Sequence, residues 1–353
     1  MTAPIKMAET VTRVDFSDRK QTGRIESFLV GQGASLFHTP AWLRAVESGT
    51  GQRACGLIAE KMGTIIGWLP LTEVRSPLFG KALVSSGFGV GGGIIAETDT
   101  AVEALGQAAA GFVQDLGFSG VELRGGKIPA GWDSWNNRHV GFTRELASDD
   151  EAELQSIPRK ARAEVRKGLK NDLTVRIGRS NDDRKAHYAV YSESVRNLGT
   201  PVFPKKLFNA MLDALPESSD ILTVFAGGKP ISSVLSFYHN GAVLPYWGGG
   251  VFAARNARAN ELMYYKLMLH AREQGMDSFD FGRSKTGSGP YKFKKNWGFD
   301  PKPLCYSKWT APGEQSRDID PTSDGYSRKI ELWKKLPLPV ANLVGPWIAR
   351  GLA

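Results

Sequence analysis

The sequence predicts an α/β protein made of two similar domains in tandem. Three observations lead there. The chain has 353 residues, more than one ordinary hydrophobic core accommodates. Hydrophobic residues make up 41% and charged residues 23%, the balance of a globular chain rather than a disordered one. The same order of elements (helix, apolar hairpin, helix closed by glycine, strand) is written twice, before and after about residue 150.

In the first half, residues 36–50 (LFHTPAWLRAVESGT) read as a short helix entered at Pro40 and closed near Gly49. Two apolar runs in GLIAEKMGTIIGWLPLTEV flank Met62-Gly63, a hairpin signal. Residues 81–96 are dense in glycine. From Thr100 to Leu116, Val102, Leu105, Ala109, Phe112, Val113 and Leu116 share one helical face, and Gly117 stops the helix. VELRG then reads as a strand.

In the second half, a basic helix runs from about Pro158 to Leu169, followed by a strand, LTVRIG. Helices follow at Asp183 to Asn197 and at Pro204 to Leu215. ILTVFA and ISSVLSFYH are strands joined by a turn at Gly227-Gly228, and AVLPYWGG is another. Asn260 to Gln274 is apolar nearly all round, which predicts a helix buried against a sheet. Gly275 caps it, and the strand SFDF follows. The expected domains are 1–150 and 151–310, with a polar linker at 311–328 and an amphipathic tail at 329–353.

That tail, IELWKKLPLPVANLVGPWIARGLA, is too short to span a bilayer. Trp333, Leu336, Leu338, Leu343 and Trp347 suit a membrane interface, and packing on the protein's own surface fits the same pattern. The N-terminal MTAPIKMAETVTRVDF lacks the apolar centre of a secretory signal. Cys55 and Cys305 make no disulfide framework. The expected setting is cytoplasmic, with peripheral contact to the inner membrane through residues 329–351 left open.

The net charge of +9 is local. Between Ser156 and Asn171 lie Arg159, Lys160, Arg162, Arg166, Lys167 and Lys170 against Glu164 alone, a net of +5. Phe281 to Trp297 holds Arg283, Lys285, Lys292, Lys294 and Lys295 with no acid, another +5, so the remainder is −1. One-signed charge on a glycine-rich stretch anchored by Tyr291, Phe293, Trp297 and Phe299 points to a site for an anionic ligand.

Several chemistries find no support. Gly87-Phe-Gly89-Val-Gly91-Gly92 matches a dinucleotide fingerprint, but a strand-like IIAE stands where its helix should begin. Gly282 to Gly289 lacks the Gly-Lys-Ser/Thr ending of a phosphate-binding loop, and Pro290 reads as a block to helix entry. His38, His139, His187, His239 and His270 have no ligand spacing, so no metal is expected. No G-x-S-x-G elbow is present. What fits is a metal-free transfer of an activated acyl group to an amine, in which the protein aligns both partners and stabilises the oxyanion. Lys294 or Lys292 suits the cation beside that charge. Asp280 suits a group that accepts a proton or orients the amine, or else one that caps the Gly282 turn. Tyr246 and Trp247 suit a pocket wall or the core.

The stretch FDFGRSKTGSGPYKFKKNWGF resembles the closing motif of Fem-type (FemAB-like) transferases, whose fold is two tandem GNAT-like acyltransferase domains. PRKARAEVRKGLKNDLTV resembles the basic helix opening their second domain, and NELMYYKLMLHAREQGMDSFDFG their long helix and next strand. FHTPAWLRAV, IIGWLPLTEVRSPLFGKALVSSGFGVGGGI, VELR and the WKKLPLPVANLVGPWIARGL tail resemble a bacterial subgroup associated with exosortase/PEP-CTERM and exopolysaccharide systems. The resemblance spans about residues 34–351. It implies N-acyl or aminoacyl transfer to an anionic cell-envelope or polysaccharide precursor, with a catalytic lysine at Lys294 after Phe293. It implies no tightly bound cofactor, only a co-substrate, aminoacyl-tRNA or acyl-CoA. Where CoA-dependent relatives carry a glycine-containing loop, this chain reads Arg255-Asn-Ala-Arg258-Ala-Asn260, and arginine binds phosphate directly. The candidate set is therefore Lys294 and Asp280 for catalysis. For substrate binding it is Arg283, Lys285, Lys292, Lys295, Tyr246, Trp247, Arg255, Arg258, Asn260, Arg159, Arg162 and Arg166. The competing reading is a non-catalytic binder of nucleic acid or anionic lipid at the inner membrane.

Overall fold

The computed structural model describes residues 9–315, 317 and 324–352. Residues 1–8, where the N-terminal stretch begins, and most of 316–323 within the expected linker lie outside the described residues. The chain divides into two compact units. One holds Met1–Asn136, Leu304–Ile319 and Arg350–Ala353, the other Asn137–Pro303 and Asp320–Ala349.

The first unit begins with β1 (Thr10–Arg13), α1 (Arg19–Leu29), a single 3-10 turn at Leu36–His38, α2 (Pro40–Thr50), β2 (Arg53–Lys61) and β3 (Thr64–Ser76). It continues with β4 (Gly80–Ser85), β5 (Ile95–Ala96), α3 (Asp99–Leu116), β6 (Gly120–Arg124) and β7 (Asp133–Trp135). The second unit opens with β8 (His139–Glu145), α4 (Asp150–Ser156), α5 (Arg159–Lys170), β9 (Thr174–Gly178), α6 (Asn181–Asn197) and α7 (Lys205–Ala214). Then come β10 (Ser219–Ala226), β11 (Lys229–His239), β12 (Ala242–Gly250), α8 (Phe252–Ala257), α9 (Ala259–Glu273), β13 (Ser278–Asp280), β14 (Ser284–Lys285), α10 (Gly289–Asn296) and β15 (Pro301–Pro303). β16 (Tyr306–Thr310) returns to the first sheet, and α11 (Asp324–Lys334) and α12 (Leu338–Ala349) belong to the second unit.

The first sheet runs β1-β2-β3-β4-β6-β16-β7, with β5 against β3. The second runs β14-β8-β13-β12-β11-β10-β9, with β15 against β8. Each is antiparallel except for one pair, β4 with β6 and β12 with β13. A parallel pair needs a crossover, and each sheet supplies it through one long helix, α3 or α9. The two-domain α/β plan expected from the sequence is therefore present in both units.

Local rules explain most elements. Thr98 caps α3 through the Ala101 amide at 3.1 Å, and Gly117 ends it with φ of 61°. α2 starts on Pro40 and closes at Gly51, φ 75°, two residues past the expected Gly49. Met62 and Gly63 both have positive φ, which gives the β2–β3 hairpin a turn matched to strand twist. In α9, Leu262, Met263, Leu267 and Met268 are buried, as the all-round apolar pattern predicts.

Three expectations differ from the structure, besides the start of α11 at Asp324, which lies inside the expected linker 311–328. β8 precedes residue 150 yet pairs with β13, β14 and β15 of the second sheet. β16 falls within the expected domain 151–310 yet pairs with β6 and β7 of the first. Pairing between strands distant in sequence leaves no trace in local periodicity, so a single cut near 150 misses both exchanges. Third, Pro290 does not block a helix. It occupies the first turn of α10, where its missing N–H costs nothing, behind a Ser288 cap on the Tyr291 amide.

Alternation in β11 assigns the layers of the second unit. Ser233 Oγ meets His187 Nδ1 of α6 at 3.0 Å, whereas Ser232 Oγ meets Asn260 Oδ1 of α9 at 2.6 Å. Neighbouring strand residues point to opposite faces, so α6 and α9 cover opposite sides of the sheet. Val165 of α5, Met263 of α9 and Trp297 beyond α10 share one core with Phe142 and Phe279 of the sheet.

Candidate active site

The second sheet opens at its one parallel pair. β12 and β13 are joined only at Ala242–Ser278 and Val243–Phe279. Next, β12 carries a bulge: Leu235 and Ser236 of β11 oppose Trp247 and Pro245, which leaves Tyr246 as the extra residue. Beyond it β12 keeps its β11 partner to Gly250, while β13 ends at Asp280. The crossover puts the α9 N-terminus at this same end, where the two parallel strands finish.

Lys294 lies at the β13 side of the opening. It is 9% exposed, with Nζ donating to the Gly282 and Arg283 carbonyls at 3.2 and 3.1 Å. The rings of Phe142 and Phe281 lie 5.5 Å from Nζ at their centroids. Burial pushes the ammonium down to about 8, Asp280 opposes that shift, and Arg283 adds to it. The Asp280 carboxylate accepts from the Gly282 amide at 2.8 Å. Burial raises its pKa above the ordinary carboxylate value, against the Gly282 amide, the Lys294 charge and the Thr143 hydroxyl. Asp280 thus shapes the turn whose carbonyls hold Lys294. A buried, electrically strained lysine–carboxylate neighbourhood is expected more often at a working site than in a structural core.

The phosphate-type candidates form a second cluster. α9 has no side-chain cap, and the residue before it, Arg258, adopts the left-handed conformation at φ 57°. Arg258 takes there the backbone that glycine would adopt at least cost, so the missing glycine of the loop is replaced in conformation as well as in sequence. Its guanidinium Nε lies 2.6 Å from Glu164 of α5, and Asn171 donates to the Ala257 carbonyl at 2.7 Å. Arg255 is exposed, with its guanidinium 5.7 Å from the Phe252 ring centroid. Arg159, Arg162 and Arg166, with Ala163, Lys167 and Lys170, line an open groove of about 340 Å³ made by α5 alone. Lys294 is not among its lining residues, so the two basic segments share a helical layer without sharing that groove.

The other candidates are dispersed. Lys292 and Lys295 are exposed on α10. Lys285 sits on β14 opposite His139, and Arg283 contributes its carbonyl to Lys294. Asn260 gives its carboxamide oxygen to Ser232. Trp247 is core: its ring meets those of Phe208 and Phe237 edge-on, at 5.1 and 5.9 Å. Tyr246, the bulged residue, is half-buried against Phe237 and Trp247. Sequence reasoning missed Phe142 and Thr143, which reach the lysine and its carboxylate from β8. Nothing local marks them, because they arrive by strand pairing. Among the described residues no group of three or more His, Cys, Asp or Glu side chains could hold a metal ion.

Residues 155–295 match the family model described as the acetyltransferase (GNAT) domain. The chain superposes on the crystal structure of FemX with a TM-score of 0.63 at 14% identity, covering 84% of this chain and 96% of that one. A tandem GNAT protein from the clavulanic acid pathway gives 0.57 at 11%, over 87% and 100%. The L-PGS structure from Bacillus licheniformis gives 0.54 at 12%, over 93% and 97%. A search of curated proteins returned no match. At these identities the superpositions establish the fold, a two-unit GNAT-like α/β architecture. The domain match over residues 155–295 marks the chain as an acyltransferase.

Proposed function

We propose that the protein moves an acyl or aminoacyl group from a phosphate-bearing carrier to an amine on an anionic cell-envelope or exopolysaccharide precursor, in the manner of Fem-type enzymes. The observation that carries this reading is Lys294, a buried cation held by two backbone carbonyls where β12 and β13 diverge. The donor's acyl carbonyl would enter that opening, with its phosphates towards the uncapped α9 N-terminus, Arg255 and Arg258. The acceptor nitrogen attacks the carbonyl carbon, a C–N bond forms, and the C–S or C–O bond to the carrier breaks. The proton lost by the amine ends on the departing sulfur or oxygen. Lys294 stabilises the oxyanion, and Asp280 holds the turn that aims it. The membership in an exosortase-linked subgroup and the cytoplasmic setting belong to the same proposal, supported by the sequence resemblance.

Both donor classes, acyl-CoA and aminoacyl-tRNA, present an ester or thioester beside phosphates, so the site chemistry is shared. Mass spectrometry of ligands retained by the native protein separates them. Transfer from the donor so identified is then compared between the wild type and Lys294→Ala. A folded variant with full transfer activity would show that Lys294 is not the reacting cation. The non-catalytic binder reading predicts salt-sensitive binding of polyanions with no turnover at all.

A further inference from the structure

α12 is apolar but for Asn342, yet only one side is covered. With about 100° between successive residues, Ala341, Gly345 and Ala349 fall on one stripe, and all three are buried. Gly345 packs so closely on Val202 that an added Cβ would lie 3.0 Å from the Val202 nitrogen. Asn342, beside that stripe, donates to Ser192 Oγ of α6 at 3.3 Å. The link before α12 is held as well: the Arg196 guanidinium donates to the Lys334 and Leu336 carbonyls, each at 3.3 Å. The helix is therefore presented firmly on its own unit.

The opposite arc, roughly 100° wide on the same helical count, carries Val340, Leu343, Val344 and Trp347. All four are exposed, Leu343 to 81% and Trp347 to 47%. Leu332 of α11 adds a further exposed side chain, at 67%. An apolar patch of this kind marks an interaction surface. Its charge setting selects the occupant. No acid occurs from Leu332 to the end of the chain. Lys334 and Lys335 lead into α12, with Lys329 before them, and Glu331 alone opposes them, pairing with Lys334 at 2.6 Å. Lysine is depleted at protein–protein interfaces, whereas an apolar arc with tryptophan and flanking lysines suits the boundary of an anionic bilayer.

We infer that α12 docks the protein on an anionic lipid surface. Val340, Leu343, Val344 and Trp347 enter the headgroup–acyl boundary, and the exposed Lys335 leading into α12 meets the phosphates. The inference stands apart from the catalytic reading and survives its failure. The test is sedimentation of the full chain with phosphatidylcholine vesicles, with and without phosphatidylglycerol, at low and high salt. Binding to the phosphatidylglycerol vesicles, weakened by salt, is expected. The double variant Leu343→Asp, Trp347→Asp should bind roughly a hundredfold more weakly, since each lost apolar burial is worth about tenfold. Its thermal unfolding should match the wild type, because both side chains are exposed. Equal partitioning of variant and wild type overturns the inference. So does a wild-type dimer that the double variant turns into a monomer while neither binds vesicles, which would assign the arc to a second copy.

Discussion

Lys294 is a residue that stability alone would not select. Its pKa falls from 10.5 in an open chain to about 8 in the fold, with burial the leading cause. Between those values the unfolded chain binds more protons than the native one, so stability rises with pH across that window. Below it the full cost of the buried charge is present. Lys294→Met removes the charge at similar length. We predict that denaturant unfolding of the wild type shows a gain from pH 7.5 to 10 that Lys294→Met lacks. The same variant should lose about 10²–10³ in transfer rate, the usual loss when one donor to a developing oxyanion is removed. If the ammonium is the working form, the wild-type rate also declines as pH rises through about 8. A rate that climbs through that pH instead would make Lys294 a base. Asp280→Asn keeps the shape and one acceptor for the Gly282 amide but removes the charge that favours the Lys294 ammonium, so the basic limb should move to lower pH.

At the scale of elements, two short motifs position the site. α10 is eight residues long and carries Lys294 in its last turn. An isolated helix of that length is marginal, so its Ser288 cap matters more than usual. Ser288→Ala should cost about 1 kcal/mol of stability and lower the transfer rate without touching the substrate. The second motif is the junction of β12 with α8 and α9. Gly250 lies so near Asn260 that a Cβ would meet its Oδ1 at 2.4 Å and Ala254 Cβ at 2.8 Å. Gly250→Ala must push α9 outward or break the Ser232–Asn260 bond, and we expect weaker donor binding, read as a raised KM. Arg258→Gly relieves a left-handed side-chain residue, a strain of about 1–3 kcal/mol. It should therefore leave the unfolding midpoint unchanged or higher while donor affinity drops about tenfold or more, the worth of a charged hydrogen bond to phosphate. Local signals wrote these helices into the sequence: the caps, the apolar periodicity, and Gly117 and Gly275 as stops. Pro290 misled because an internal and a first-turn proline look the same until the cap at Ser288 is recognised.

At the scale of the whole molecule, the doubled plan was legible because each unit repeats hairpin, crossover helix and strand. The exchange of β8 and β16 was not, since the chain leaves and re-enters each sheet through pairings between residues far apart in sequence. The same distance hid Phe142, which walls Lys294 from a strand about 150 residues earlier. The basic character of α5 was legible as a composition, whereas its geometry, an outward groove of its own, needed the fold. Among the described residues no helix is long and apolar enough to cross a membrane. The central claim is that acyl transfer takes place at the opening between β12 and β13, with Lys294 as its cation. It is tested most directly by measuring donor binding and single-turnover transfer side by side in the wild type and Lys294→Met, with the donor retained by the native protein. The account predicts an unchanged donor Kd and a transfer rate reduced by about 10² or more. A folded variant that transfers at the wild-type rate would contradict it.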